Sequence, residues 1–363
     1  MSKTSYAIAV LPGDGIGPEV TAATLQVLHA VAPRIGRRFD TTDHPAGAQH
    51  YLDSGVALPE ATLAACRQAD AVLFGAMGLP HVRAKDGTEI IPQLDLRFEL
   101  DLYAGVRPIR SFAGLPGPLA DPRAAQIDLV LVRESTEGLF HARGRGRIEG
   151  VGDAQAAYDT MKITRRGTAR VCDFALRLAR QRKARGLPGR VTNVDKANVF
   201  TSMAFWRQVF DERAQAFPDV AVEHAYVDAM ALNLVMKPWA YDVLVTENMF
   251  GDILSDLIAA LAGGMGMAPS ADIGDDHALF QPAHGTAPDI VGQGIANPTA
   301  TILSAAMMLA WLADRHGDSA LADGARAIEA SLAAAFAQGV VRPREFGGAS
   351  STADIVRAVI EGL

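Results

Sequence analysis

The sequence predicts an α/β protein large enough for two domains, whose opening glycine turn departs from the standard Rossmann fingerprint. Three observations carry this expectation. Short apolar runs alternate with helix-period stretches along almost all of the 363 residues. Several of those runs end in polar or charged residues, where α/β sheets collect their chemistry. The glycines of the opening turn, "VLPGDGIGPEV", are spaced G-x-G-x-G at Gly13, Gly15 and Gly17. A dinucleotide fingerprint needs its third glycine three residues after the second.

Taken in order, "YAIAVL" reads as a buried strand, and the glycines after it supply the positive φ of a tight turn. Pro18 opens a helix where its missing N–H costs nothing, and Val20, Thr24, Val27, Leu28 and Val31 line one face of it. "ADAVLFGAMG", "IDLVLVRES", "RVTNVDK", "VAVEHAYVD" and "YDVLVTEN" read as further strands. "SFAGLPGPLADP" is a loop and "ARGLPGR" a connector, while "FHARGRGRIEGVG" suits a hairpin or an arm. "TILSAAMMLAWLA" is too short to span a bilayer and reads as a core helix.

Composition narrows the class. The chain is 49% hydrophobic and 21% charged, with a net charge of −7, which argues against a nucleic-acid partner. Cys66 and Cys172 stand in no metal or redox spacing, and no secretory leader precedes the first turn. A cytoplasmic protein with reduced thiols and no membrane segment is expected.

Four constellations carry candidate chemistry. In "ENMFGDILSD", Asp252 and Asp256 are four apart and share a helix face. The apolar residues around them suggest a buried pair that needs a cation, and oxygen ligands suit Mg²⁺ or Mn²⁺. Asp228 in "YVDAMALN" is a third candidate ligand or a helix cap. Arg97, Arg107 and Arg133 stand at element ends among apolar neighbours and together suit a di- or tricarboxylate; singly, each suits an ion pair. Lys196 ends a strand and is either a desolvated base or the partner of Asp195 or another acid. The loop "HGTAPDIVGQGIANPTA" offers Asp289 for a ribose diol, and His284 and Asn297 for a base or phosphate, unless it is only a structural Ω-loop.

Together, "LPGDGIGPEV", "VDKANV", "YVDAMALNLV", "FGDILSD" and "HGTAPDIVGQGIANPTATILSAAMML" resemble the motifs, in order, of the isocitrate/isopropylmalate dehydrogenase family, the metal-dependent β-decarboxylating dehydrogenases. The resemblance runs from about residue 6 to 315. It implies the family's two-domain fold, with residues 1–101 and 257–363 in the large domain and 102–256 in a smaller dimerisation domain. An intersubunit arm is expected around 140–152. The resemblance further implies NAD bound by Ile16, His284, Gly285, Thr286, Ala287, Asp289, Ile290 and Asn297, with Asp289 selecting NAD over NADP. Mg²⁺ or Mn²⁺ is expected on Asp228, Asp252 and Asp256. Lys196 and Asp228 would serve the partner subunit's site of a homodimer, with Lys196 as the base.

Two departures from the family stand out. Phe140 occupies the position of a family tyrosine that helps protonate the decarboxylated enolate. Ile90, Gln93, Leu94 and Arg97 fall on one helical face, which in the family reads the group on the substrate's third carbon. Isopropylmalate enzymes resemble Glu-Leu-Leu there and isocitrate enzymes place Ser and Asn, so Ile-Gln-Leu is neither. Flanking motifs lean toward 3-isopropylmalate. Tartrate or D-malate, isocitrate or homoisocitrate, and a catalytically silent regulatory member are the alternatives.

Overall fold

The computed structural model describes residues 3–85 and 87–363. Its strands are β1 (Ser5–Gly13), β2 (Arg38–Asp43), β3 (Ala71–Ala76), β4 (Ala104–Arg110), β5 (Asp128–Glu134), β6 (Arg147–Glu149), β7 (Ala156–Tyr158), β8 (Arg190–Asp195), β9 (Ala221–Tyr226), β10 (Val243–Thr246), β11 (Pro269–Ile273) and β12 (Ala278–Pro282). The helices are α1 (Gly17–Val31), α2 (Ala48–Ser54), α3 (Glu60–Gln68), α4 (Pro92–Glu99), α5 (Arg165–Ala184), α6 (Thr201–Ala214), α7 (Val227–Met236), α8 (Asn248–Leu261), α9 (Thr299–His316), α10 (Ser319–Ala337) and α11 (Thr352–Gly362).

The chain forms two compact units: Met1–Leu102 with Ser111–Ala125 and Ala259–Leu363, and Tyr103–Arg110 with Gln126–Ile258. The loop 111–125, assigned from sequence to the middle domain, lies in the first unit. There, a side chain at Gly114 would strike the carbonyl of Phe336, and the Phe112 ring meets Phe336 edge-on.

In the first unit the strand order is β2-β1-β3-β12-β11, parallel except for the antiparallel β11–β12 pair. β3 is buried along its whole length, as a strand covered on both faces should be. α1 buries the face read from its period, and α9 is the expected core helix. In the second unit the order is β4-β5-β10-β8-β9, with only β4–β5 antiparallel. The glycine- and arginine-rich stretch forms a short antiparallel ribbon of β6 and β7. Among the described residues, no helix is long and apolar enough to cross a membrane.

Candidate functional site

The glycine turn of the first unit is shaped by close packing. Gly13 and Gly15 have φ of 81° and 59°. A Cβ on Gly15 would lie 2.1 Å from the carbonyl oxygen of Thr286, and one on Gly13 would lie 2.1 Å from that of Ala76. The turn therefore docks backbone to backbone against β3 and the 284–290 loop, and every second residue must lack a side chain. The amide of Ile16 donates to Thr286 O at 2.9 Å. Ile16, Val20 and Ala296 form an apolar cluster against which Ala287 and Ile290 pack. Four of the residues expected at the nucleotide are thus brought together: Ile16, Thr286, Ala287 and Ile290.

The remaining residues of that set divide. His284 Nδ1 donates to Gly285 O at 2.9 Å, and burial lowers its pKa. The neutral ring is left with a buried Nε2 acceptor that has no partner among the described residues. Gly285 and Asp289 are exposed. Asn297 is not an open contact. It is buried, its amide nitrogen meets Met267 and Glu345, and its oxygen accepts the amide of Thr299 at the start of α9.

The specificity face also needs one correction. Pro92 starts α4, so Ile90 precedes the helix. It is buried in a core cluster with Ala48 and Val82. Leu94 is buried. Gln93 Oε1 is buried without a hydrogen-bond partner among the described residues. Arg97 is buried and pairs through Nε with Asp272 at 3.1 Å. Asp272 was not anticipated. Its only trace is an aspartate inside the buried β11 run "PSADI".

In the second unit, Arg133 is clamped. Its Nε and Nη2 donate to Asn248 Oδ1 at 2.9 and 2.6 Å, and its Nη1 pairs with Asp252. A side chain at Gly251 would collide with the Arg133 stem, and the Phe140 ring lies 4.9 Å from its Cζ. Arg107 is buried on β4, with Nη1 on Val106 O at 3.2 Å. Asp252 and Asp256 do share a face of α8, but it is an open one: the Asp252 side chain is 52% exposed, and Asp256 is exposed. The apolar neighbours misled because Leu254 and Ile258 face inward while Ile253 is itself exposed. Partial burial, and then the Asp252 charge, push the Asp256 carboxyl up, while Arg107 and Arg133 pull it down.

Lys196 Nζ donates to Asp228 Oδ1 at 2.6 Å and holds that carboxyl below its usual range. Asp195, the alternative partner, is fully buried and bound by Arg207. Among the described residues no three His, Cys, Asp or Glu side chains gather as a metal site. Asp228 therefore does not meet Asp252 and Asp256 within one chain. The α8 pair still fits a hard divalent cation, as two carboxylate oxygens on one helix face whose mutual repulsion a cation relieves.

Three buried or half-buried glutamates, also unanticipated, build the loops around Arg133. Glu134 accepts the amides of Thr136 and Glu137 at 2.9 and 2.6 Å, and burial pushes its carboxyl up to about 7. Glu137 accepts the amide of Thr164, the residue that caps α5. Glu247 accepts the amides of Met249 and Phe250 at the start of α8. His141 Nε2 lies 2.8 Å from Arg145 Nη1, and burial together with the Arg145 and Lys162 charges lowers the ring's pKa.

Comparison with known proteins identifies the family. The family model for isocitrate/isopropylmalate dehydrogenase matches residues 7–359. The 3-isopropylmalate dehydrogenase of Moorella thermoacetica is 45% identical over 343 residues, covering 93% of this chain and 92% of its own. That of Bacillus subtilis is 41% identical, covering 97% and 96%. The crystal structure of isocitrate dehydrogenase from Methylococcus capsulatus superposes with a TM-score of 0.84 at 35% identity, covering 98% of this chain and 99% of that one. A β-decarboxylating dehydrogenase from Thermococcus kodakarensis superposes with a TM-score of 0.78 at 38% identity, covering 98% and 96%. The chain belongs to the isocitrate/isopropylmalate dehydrogenase family and is an oxidoreductase of its decarboxylating kind.

Proposed function

We propose that the protein catalyses the NAD-dependent, Mg²⁺- or Mn²⁺-dependent oxidative decarboxylation of a 2-hydroxy dicarboxylate, with 3-isopropylmalate as the substrate the named relatives favour. The observation that carries this reading is the clamped Arg133 beside the Asp252–Asp256 face of α8, a carboxylate receptor next to a hard-cation pair. Arg97, Arg107 and Arg133 serve the substrate's carboxylates. Asp252 and Asp256 hold the cation, with Asp228 of the partner subunit as third ligand. When bound, NAD supplies the hydride acceptor and the cation a Lewis acid. Lys196 of the partner subunit, held by the partner's Asp228 and acting as the neutral amine, takes the substrate's hydroxyl proton as the hydride leaves carbon 2. The 284–290 loop and Ile16 hold the nucleotide, and Asp289 accepts from the ribose hydroxyls.

The homodimer reading is supported by apolar side chains left open on α7, Leu232, Val235 and Met236, and before α6, Val199 and Phe200. Cytoplasmic placement is supported by two buried free cysteines.

A second substrate reading rests on the unpartnered Gln93 oxygen, which suits a hydroxyl on the third carbon, as in tartrate. One assay separates the readings: NAD reduction with 3-isopropylmalate, tartrate, D-malate, isocitrate and homoisocitrate, with and without EDTA. A preference for tartrate would displace 3-isopropylmalate. Full activity in EDTA would remove the cation from the mechanism. The Asp289 role predicts NAD over NADP by at least about tenfold in kcat/KM, since a charged hydrogen bond is worth ~1–3 kcal/mol.

A further inference from the structure

Asp14, the one acid in the opening glycine turn, is 3% exposed, and its carboxylate accepts three backbone amides. Its Oδ2 accepts the amides of Ala48 and Gly78 at 2.7 and 2.9 Å, and its Oδ1 accepts the amide of Gln49 at 2.9 Å. Gly47 fits against it only because it lacks a Cβ, which would lie 2.6 Å from Oδ2. The chain of bonds continues. Gly78 O accepts the Thr286 hydroxyl at 2.7 Å, and Thr286 O accepts the amide of Ile16 at 2.9 Å. Ile16 is two residues from Asp14, so the ring closes: Asp14, Gly78, Thr286, Ile16 and back. Four segments distant in sequence meet here, three of them at the carboxylate itself and the fourth, the 284–290 loop, through Gly78 and Ile16. They are the glycine turn, the start of α2, the strand end after β3, and the 284–290 loop.

We propose that Asp14 is a positioning residue for the dinucleotide: it touches no ligand, but it sets the 284–290 loop in its binding shape through Gly78 and Thr286. The proposal rests on the reading of that loop as the nucleotide site. A charged acceptor is required because three amide donors converge on it, and charge-assisted bonds to backbone N–H are the strong kind. In Asp14→Asn the amide would turn a donor toward at least one of those N–H groups. The loop would still fold but would sample other conformations, and only a fraction of molecules would bind nucleotide at a given moment.

The test is NADH binding to the full-length protein, followed by fluorescence titration, alongside steady-state kinetics and hydrogen exchange. For Asp14→Asn the Kd for NADH and the KM for NAD should rise about tenfold, with kcat at saturating NAD and the KM for the hydroxy acid changing less than about threefold. Amide exchange should speed up across 284–290, which Asp14 does not touch, and not only at Ala48, Gln49 and Gly78. A lowered melting temperature with unchanged NADH affinity and unchanged exchange at 284–290 would make Asp14 a structural staple only and overturn the proposal. If Asp14→Asn does not fold, Thr286→Val breaks the link to Gly78 and leaves the three bonds of Asp14 intact. The same rise in Kd is then expected, with Thr286→Ser recovering most of it; equal effects of Val and Ser would reject the ring. A native protein that binds no NAD(H) would instead defeat the nucleotide reading itself.

Discussion

Arg133 shows how much a single side chain depends on its surroundings. Two oxygens, a missing side chain at Gly251 and the Phe140 ring hold it in place. Stacking of this kind is worth roughly 0.5–2 kcal/mol. Phe140→Leu should therefore raise the KM for the hydroxy acid roughly 2- to 30-fold, whereas Phe140→Tyr, which keeps the ring face, should hold it within about twofold. Steady-state kinetics with both variants checks this, and an unmoved KM in the leucine variant would show that the ring does not position the arginine. Glu134, next in sequence, gives a pH prediction. Its folded pKa of about 7 lies above the ordinary carboxyl value, so the fold favours the protonated form. The stability it adds is full below about pH 4.3 and is lost as pH rises toward 7. Urea unfolding between these limits should show the native chain losing stability and Glu134→Gln holding it. Arg133 was legible in the sequence, as an arginine ending an apolar strand. Asp14, Asp272 and Glu247 were not, because a lone acid does not reveal which backbone amides will converge on it.

At the level of elements, β1, β3, β5, β8, β9 and β10 and the helices α1 and α9 could be read from apolar runs and period. β2 and β11 could not: "RFDTTD" is mostly polar, and "PSADI" carries a proline, a serine and an aspartate whose burial only the pairing explains. The acidic pair of α8 was found, but its burial was inverted, since periodicity fixes a face without saying what covers it. The start of α10 shows an element held from a distance. Asp318 caps it through the amide of Ala320 and also accepts from the Tyr6 hydroxyl and the Arg37 guanidinium. Arg37 above all holds the Asp318 carboxyl down at about 2, and Tyr6 is pushed up to about 12, by burial first and then by Asp318. Asp318 is buried but Arg37 is only partly so, and a lost helix cap costs ~0.5–2 kcal/mol, so Asp318→Ala should lower the unfolding free energy by about 2 kcal/mol at pH 7. The native contribution is present above about pH 4 and lost as pH falls toward 2, so the gap between the two proteins should close in acid. Denaturant titrations at pH 3 and 7 check both statements.

For the whole molecule, the proposed sharing of Lys196 and Asp228 has a direct consequence. Lys196→Ala and Asp252→Asn chains, each inactive alone, should regain activity when unfolded together and refolded, because each heterodimer then holds one complete site. Heterodimers that form and stay inactive would place Lys196 and Asp252 in the same subunit's site.

The strand order of the first unit also sets a timetable for the ribosome. β3 lies between β1 and β12, and Val72 pairs with Leu279, so the sheet that begins at Ser5 has no completed centre until the last third of the chain is made. Most of the second unit is one uninterrupted stretch, 126–258, and can close while the first hundred residues wait. At roughly 5–20 residues per second that wait lasts about 10–40 s, with the apolar faces of β1 and β3 uncovered. A nascent chain stalled with residue 258 just clear of the ribosome should resist protease across 126–258 and be cut within 1–102. Chaperones that shield strands should be found on those first residues, and equal resistance in both regions would show that the early strands find temporary cover of their own.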